Sequence, residues 1–172
     1  NGYARPACGN NPEEHFPCPS IEAQIANIAD EITYYSHDLD DGLDHALIKE
    51  EQLADIILWK KCAEFVDSHY ASIEGKRRRA YIVRTLIDHQ VADLVSTTST
   101  RIDKSGVNSA DELRRLPNPL VDYSNTLRDA NRQLRKFLYQ NLYYHENVAT
   151  PNAHGAKIIS EMFTRYQNDP GL

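Results

Sequence analysis

Glycine is scarce in this sequence, with seven residues among 172. A fold with many tight turns needs positions with positive φ, which glycine supplies, so this scarcity disfavours a turn-rich β fold. No stretch alternates apolar and polar residues with the period of two that is typical of a half-buried strand. Both absences predict an all-α protein, and the length allows one domain with a sizeable core.

Cysteine is also rare, and Cys8, Cys18 and Cys62 form no CxxC motif and have no paired histidine. This set disfavours a zinc site and is typical of reduced thiols, which predicts a cytoplasmic protein. No apolar run approaches a membrane span, and no stretch has the pattern of a signal peptide, so no membrane partner is expected. The net charge of −6 gives no overall attraction to nucleic acid.

Apolar residues at helical spacing predict an irregular helical bundle over residues 20–172. Residues 1–19 contain four prolines and are expected to be a separate lead segment. The predicted long helices cover about 20–37, 50–70, 76–100, 124–143 and 146–168. A short helix is expected between Ser109 and Leu116. In the last long helix, five apolar side chains are expected to be buried: Ile158, Ile159, Met162, Phe163 and Tyr166.

The first predicted helix has two contrasting sides. Its apolar stripe, which faces the core, consists of Ile21, Ile25, Ile28, Ile32 and Tyr35. Away from that stripe, Asp30, Tyr34 and Asp38 follow each other at four-residue intervals, so a helix places them along one strip with about 6 Å of rise between neighbours. Two carboxylates and a phenol in this arrangement suit a metal ion or a sugar hydroxyl. They also suit a face that only contacts water, which the pattern alone favours.

The third predicted helix begins with four cations at 76–79. On a helical wheel Arg77, Tyr81, Arg84 and Asp88 share one strip, and cationic side chains there would suit a polyphosphate. The alternative is a solvated basic helix start. The pattern alone favours the solvated start, but cations are unfavourable at a helix N-terminus because of the helix dipole, and this mismatch adds some weight to the functional interpretation.

Several blocks of this sequence occur in the order in which a known family carries them. The blocks are Asp30-Glu-Ile-Thr-Tyr34-Tyr-Ser-His-Asp38, Lys76-Arg-Arg-Arg-Ala-Tyr81, Leu127-Arg-Asp-Ala-Asn-Arg-Gln-Leu-Arg-Lys-Phe-Leu-Tyr139 and Asn141-Leu-Tyr-Tyr-His-Glu-Asn-Val148. Together they resemble the C-terminal half of bacterial deoxyguanosine triphosphate triphosphohydrolase-like proteins of the HD superfamily. The resemblance covers about residues 19–169. It implies an all-α C-terminal part of a dNTP triphosphohydrolase.

The resemblance implies a role for each residue of the strip. In the family, a His, a His-Asp pair and a distant Asp hold one divalent metal, such as Mg²⁺ or Mn²⁺, and Asp30 resembles that last Asp. Asp38 is expected to accept a hydrogen bond from the 3′-hydroxyl of the dNTP, and Tyr34 to pack near C2′. Arg77 and Tyr81 resemble a segment that borders the nucleotide pocket. A homo-oligomer is also implied.

This chain departs from the family pattern in what it lacks. His37-Asp38 lies where the family has a helix residue followed by the sugar-binding Asp, so it is not the HD signature. The other metal ligands and the catalytic His belong to the family's N-terminal half, so no catalytic residue is assigned to this chain. The chain starts with Asn1, and we expect a fragment that is inactive without the missing half, since four-ligand chelation supplies most of a metal's affinity.

Two other functions fit the same residues. One is a non-catalytic helical interaction module, in which the basic helix start and the carboxylate strip contact a partner. The other is a single-stranded nucleic-acid binder that uses 76–79 for phosphates and nearby tyrosines for stacking on bases.

Overall fold

A computed structural model describes residues 16–70 and 72–169. The elements are α1 (Ile21–Asp44), a 3₁₀ helix (Glu50–Leu53), α2 (Ile57–His69), α3 (Gly75–Ser105), α4 (Ala110–Arg114), α5 (Asn125–Leu138), a π-helical turn (Tyr139–Tyr143) and α6 (Glu146–Asn168). Because the described residues contain helices and no strand, the prediction of an all-α fold is confirmed. Cys8 and most of the lead segment 1–19 lie outside the described residues, so that domain division stays a prediction.

Four helices, α1, α2, α3 and α5, pack around one core. α5 contributes the side chains that its sequence predicts. They are Leu127, Ala130, Leu134, Phe137 and Leu138, and Leu142 follows them from the π-helical turn. α1 contributes mainly through its second half, where Ile32, Leu39 and Leu43 are buried. None of the described helices is both long and apolar enough to cross a membrane.

The first helix is longer than predicted. It begins after Ser20, whose side-chain oxygen accepts a hydrogen bond from Ala23 N–H at 3.4 Å. It continues beyond 37 to Asp44, because Leu39 and Leu43, which lie one turn apart on the same face of the helix, are both buried. Tertiary packing therefore overrides the low helix propensity of this segment.

The predicted helix over 50–70 is wrong, since the structure has a 3₁₀ helix, a break and then α2. At the break, Ile56 has an extended backbone with φ −81° and ψ 108°. Gln133 of α5 stabilises this conformation: its amide oxygen accepts from Ile57 N–H at 3.0 Å, and its amide nitrogen donates to the Asp55 carbonyl at 2.8 Å. One distant side chain thus replaces the hydrogen bonds that a continuous helix would have made.

The expected burial of the last helix is also wrong. α6 has the predicted bounds, but it contains no buried residue and packs mainly against the π-helical turn. Ile159 is 69% exposed and Phe163 is 64% exposed, and Ile158, Met162 and Tyr166 are exposed as well. The apolar periodicity correctly predicted a helix with one apolar face, while nothing within the described chain covers that face.

Candidate functional site

The strip of Asp30, Tyr34 and Asp38 lies on α1, as its four-residue spacing predicted. The three side chains differ in their surroundings. Asp30 is exposed and makes no polar contact with any described residue. Tyr34 is 53% exposed, while Asp38 is half-buried. The polar strip therefore runs from open solvent at Asp30 towards a more enclosed position at Asp38.

Asp38 forms a hydrogen bond with a residue that is 105 positions away in the sequence. The hydroxyl of Tyr143, in the π-helical turn, donates a hydrogen bond to Oδ2 of Asp38. The ring of Tyr143 lies 6.0 Å from the ring of Tyr34, measured between centroids. Tyr34, Asp38 and Tyr143 thus form one cluster at the contact between α1 and the π-helical turn, and we call them the Tyr–Asp–Tyr cluster.

Further aromatic rings surround this cluster. Tyr139 packs edge-on against Tyr143 at 4.9 Å, and Tyr35 packs edge-on against Tyr34 at 5.7 Å. The guanidinium of Arg135 lies 5.7 Å from the Tyr139 ring and 5.9 Å from the Tyr35 ring. Partly exposed aromatic surface beside a carboxylate is suited to the apolar face and the hydroxyl groups of a sugar.

The surroundings of Tyr143 and Tyr35 raise the pKa of both phenols. Burial raises the pKa of Tyr143, and the hydrogen bond to the Asp38 carboxylate raises it further. Burial also raises the pKa of Tyr35 to about 12, with a contribution from the negative charge of Glu31. The Tyr143 hydroxyl is protonated at neutral pH and donates its hydrogen bond to Oδ2 of Asp38.

The described residues do not form a metal site by themselves. No three of their His, Cys, Asp and Glu side chains come together in an arrangement that holds a metal ion. Asp30 is a carboxylate of the kind that Mg²⁺ and Mn²⁺ prefer, but it is a single ligand at an exposed position. Within the described part of the chain, the donor set therefore does not fit a bound metal.

The basic start of α3 is largely neutralised by acids of other elements. Arg78 pairs with Glu50 and with Asp67, its Nε lying 2.6 Å from Asp67 Oδ1. Lys76 and Arg79 both reach Asp44, at the end of α1, at 3.2 and 3.4 Å. These three cations join α3 to its neighbours.

Arg77 is the exception among the four cations. It is exposed and has no polar contact with the described residues, so it is available for a ligand or for water. Its assignment to the nucleotide pocket stays a prediction.

Tyr81 lies in a cleft of about 780 Å³ between α2 and α3. Its ring packs edge-on against Tyr70 at 5.0 Å, and Arg84 and Asp88 of the same predicted strip also line the cleft. None of the lining residues comes from α1. The structure therefore brings Tyr34 and Asp38 together, places Tyr81 in a separate cleft, and leaves Asp30 and Arg77 exposed on their own helices.

Sequence reasoning missed Tyr143 as a site residue. It belongs to a Tyr-rich stretch that includes Tyr139 and Tyr144, where the apolar pattern of α5 continues through Leu142. The available signal was the resemblance of Asn141-Leu-Tyr-Tyr-His to the family. No spacing rule relates position 143 to position 38, because the contact exists only after the helices have packed.

Comparison with known proteins gives a consistent set of relatives. Residues 121–172 match a family described as a phosphohydrolase-associated domain. Proteins named deoxyguanosinetriphosphate triphosphohydrolase-like protein are 36% identical in Geobacter sulfurreducens, 38% in Thiobacillus denitrificans and 38% in Ralstonia nicotianae, each over 154 residues. These alignments cover 90% of this chain and 40–41% of each relative.

The chain thus spans about two fifths of the length of the curated relatives it matches. The resemblance predicted from the sequence is confirmed, since nine tenths of the chain is similar to part of the deoxyguanosinetriphosphate triphosphohydrolase-like proteins.

Proposed function

We propose that this chain supplies part of the substrate site of a cytoplasmic, metal-dependent dNTP triphosphohydrolase. The observation that carries the proposal is the Tyr–Asp–Tyr cluster, in which Asp38 is a half-buried carboxylate next to the partly exposed ring of Tyr34. The name of the relatives supports a deoxyguanosine triphosphate as substrate, and the matched phosphohydrolase-associated domain supports hydrolysis at phosphorus.

In the proposed reaction, water adds to the α-phosphorus and the bond from that phosphorus to the 5′ oxygen of the sugar breaks. The oxygen leaves with a proton, so dNTP and water give a deoxynucleoside and triphosphate. Asp38 accepts a hydrogen bond from the 3′-hydroxyl, and Tyr34 lies beside C2′. The resemblance also assigns Arg77 and Tyr81 to the border of the nucleotide pocket, although Tyr81 lies in a cleft that no residue of α1 lines.

Asp30 is the metal ligand that this chain would contribute. A bound Mg²⁺ or Mn²⁺ polarises phosphoryl oxygens and lowers the pKa of a bound water. Because Asp30 is a single ligand, we propose that the remaining ligands and the catalytic base come from the part of the relatives that this chain does not span. Residues 1–172 alone are then inactive.

The experiment uses the full-length protein, which means this chain together with the part of its relatives that it does not span. The wild type is compared with two aspartate variants of α1. Asp30→Ala should lose its divalent metal, measured by elemental analysis, together with dGTP hydrolysis. Asp41→Ala is the matched control, since Asp41 is another exposed aspartate of α1, and it should keep both. Full metal content in Asp30→Ala would refute the ligand assignment. Turnover of dGTP by residues 1–172 would refute the dependence on the remaining part.

A second candidate function is a helical interaction module, favoured by the exposed apolar face of α6. In this proposal a second copy of the chain covers that face and forms the expected homo-oligomer. Sedimentation of residues 1–172 tests it: Ile159→Glu with Phe163→Glu should convert an oligomer to a monomer, while Lys157→Glu, on the same helix, should not. A wild-type monomer at high concentration would contradict this candidate.

Single-stranded nucleic acid receives less support than either. Three of the four cations at 76–79 already pair with Asp44, Glu50 and Asp67. A salt-dependent affinity of residues 1–172 for single-stranded DNA would support this third function.

A further inference from the structure

The Asp38 carboxylate forms a side-chain hydrogen bond through only one of its two oxygens. Oδ2 accepts the hydrogen bond from Tyr143, and Oδ1 has no hydrogen-bond partner among the described residues. An ionised carboxylate has about four acceptor positions on its two oxygens, so the lone pairs of Oδ1 are not used by any described residue. One oxygen is thus fixed to the protein and the other is left for a ligand.

We propose that Tyr143 is a positioning residue, which holds Oδ2 of Asp38 so that Oδ1 points at the 3′-hydroxyl of a deoxynucleotide. The inference rests on the proposed function, because it presumes that Asp38 contacts the sugar. It adds a residue and a role: Tyr143 does not contact the substrate, but sets the direction of the Asp38 carboxylate, which contacts the 3′-hydroxyl.

Tyr143 is itself held firmly enough to orient another side chain. Its ring packs against the rings of Tyr34 and Tyr139, with centroid distances of 6.0 and 4.9 Å. The preceding residue, Leu142, is buried in the core. The backbone of Tyr143 belongs to a π-helical turn, which is closed by a hydrogen bond of 3.3 Å from Tyr144 N–H to the Tyr139 carbonyl. Such turns are rare and frequently occur at functional sites.

The direction of the hydrogen bond is what makes this arrangement useful. A phenol that donates to Oδ2 takes none of the lone pairs of Oδ1, so Tyr143 and the sugar hydroxyl do not compete for the same atom. Without Tyr143, the carboxylate turns freely about its terminal torsion, which is broad for aspartate. Substrate binding would then have to fix that torsion, at a cost in entropy.

The experiment uses the full-length protein and two substrates, dGTP and 2′,3′-dideoxyguanosine triphosphate, which lacks only the 3′-hydroxyl. Tyr143→Phe keeps the ring and removes the donor. We expect kcat/KM for dGTP to fall roughly tenfold, the equivalent of about one hydrogen bond, while kcat/KM for the dideoxy substrate stays unchanged. The ratio of the two values is measured within one preparation, so it does not depend on how much of a variant is folded.

Two further variants separate the possible outcomes. Tyr144→Phe is the control, since Tyr144 is 72% exposed and does not contact Asp38, and it should leave the ratio unchanged. Asp38→Ala should lower the ratio at least as far as Tyr143→Phe does. If Asp38→Ala lowers the ratio and Tyr143→Phe does not, the positioning role is wrong and the proposed function stands. If Asp38→Ala leaves the ratio unchanged, the sugar contact fails, and the positioning role fails with it.

Discussion

The side-chain oxygen of Gln24 accepts a hydrogen bond from the backbone N–H of Val121 at 3.1 Å, across 97 positions of sequence. The same oxygen accepts from Leu120 N–H at 3.0 Å, and the Gln24 amide nitrogen donates to the Pro19 carbonyl at 3.0 Å. Gln24 is only 6% exposed. One buried amide therefore fixes the segment that leads into α5 against the start of α1.

Gln24→Ala should lower the free energy of unfolding by about 2–3 kcal/mol, because the lost acceptor leaves buried backbone N–H groups unpaired. Urea titration followed by circular dichroism measures the change. Asn27→Ala is the matched control, since Asn27 is an exposed amide of the same helix, and it should change stability by less than about 0.5 kcal/mol. Equal effects in the two variants would contradict the bridging role of Gln24.

Much of the fold could be predicted from the sequence, since local periodicity decides most of it. The buried residues of α5 and the bounds of α6 follow directly from apolar spacing. The break before α2 could not be predicted, because Gln133 stabilises it from 76 positions away. For α6, the periodicity indicated which face is apolar but contained no information on what covers it.

The candidate site also has one part that the sequence predicts and one part that it does not. The order Asp30, Tyr34, Asp38 could be seen in the sequence because all three lie on one helix. The contribution of Tyr143 could not, since it depends on how the π-helical turn packs against α1. Basic residues at 76–79 suggested a phosphate site, whereas in the structure most of them pair with acids that are distant in sequence.

Gly42→Ala should destabilise the protein, although alanine is the better helix former. A Cβ at position 42 would lie 3.1 Å from Ile48 Cδ1 and 3.2 Å from Leu142 Cδ1, and Ile48 is fully buried. Overpacking typically costs about 1–3 kcal/mol, against a gain of about 1 kcal/mol in helix propensity. We expect a net loss of about 1 kcal/mol in the free energy of unfolding.

Two variants test this steric explanation for Gly42. Ile48→Val removes Cδ1, so it should cost less in the Gly42→Ala background than in the wild type, measured as a double-mutant cycle. Gly155→Ala, in α6, meets no atom within 4 Å and should not destabilise the protein. Strict additivity of Gly42→Ala and Ile48→Val would show that the contact with Ile48 Cδ1 does not cause the loss.

Stability should fall in alkaline solution because of Cys62. Burial raises the pKa of this thiol to about 11 from its ordinary value of 9.0. As the pH rises from 9.0, the unfolded thiol ionises first, so the unfolded state is favoured until the folded pKa is reached. At the middle of this range the loss is about 1 kcal/mol.

The contribution of Cys62 is isolated by comparison with Cys62→Ala, because tyrosines with raised pKa, such as Tyr35, give a loss of the same sign. The free energy of unfolding of both proteins is measured at neutral and alkaline pH. The wild type should lose about 1 kcal/mol more than the variant. Identical pH profiles would show that the Cys62 thiol titrates normally in the folded protein.

Tyr34 should exclude ribonucleotides from the substrate site of the full-length protein. In the proposed pose the ring of Tyr34 lies beside C2′, so the 2′-hydroxyl of GTP meets an aromatic ring and gains no hydrogen bond. Tyr34→Ala removes this obstacle, and we expect a modest loss of kcat/KM for dGTP with a clear rise in kcat/KM for GTP relative to dGTP. The substitution should cost little stability, because the Tyr34 ring is 53% exposed.

Asp38→Ala provides the contrast to Tyr34→Ala, because the 3′-hydroxyl is common to both sugars. Losing a hydrogen bond to a charged group costs about 1.5–3 kcal/mol, so kcat/KM should fall for dGTP and GTP alike and their ratio should stay constant. The ratio therefore identifies which side chain contacts which carbon of the sugar. A changed ratio in Asp38→Ala with an unchanged ratio in Tyr34→Ala would reverse the two assignments. Unchanged activity in both variants would mean that this strip of α1 contacts only water.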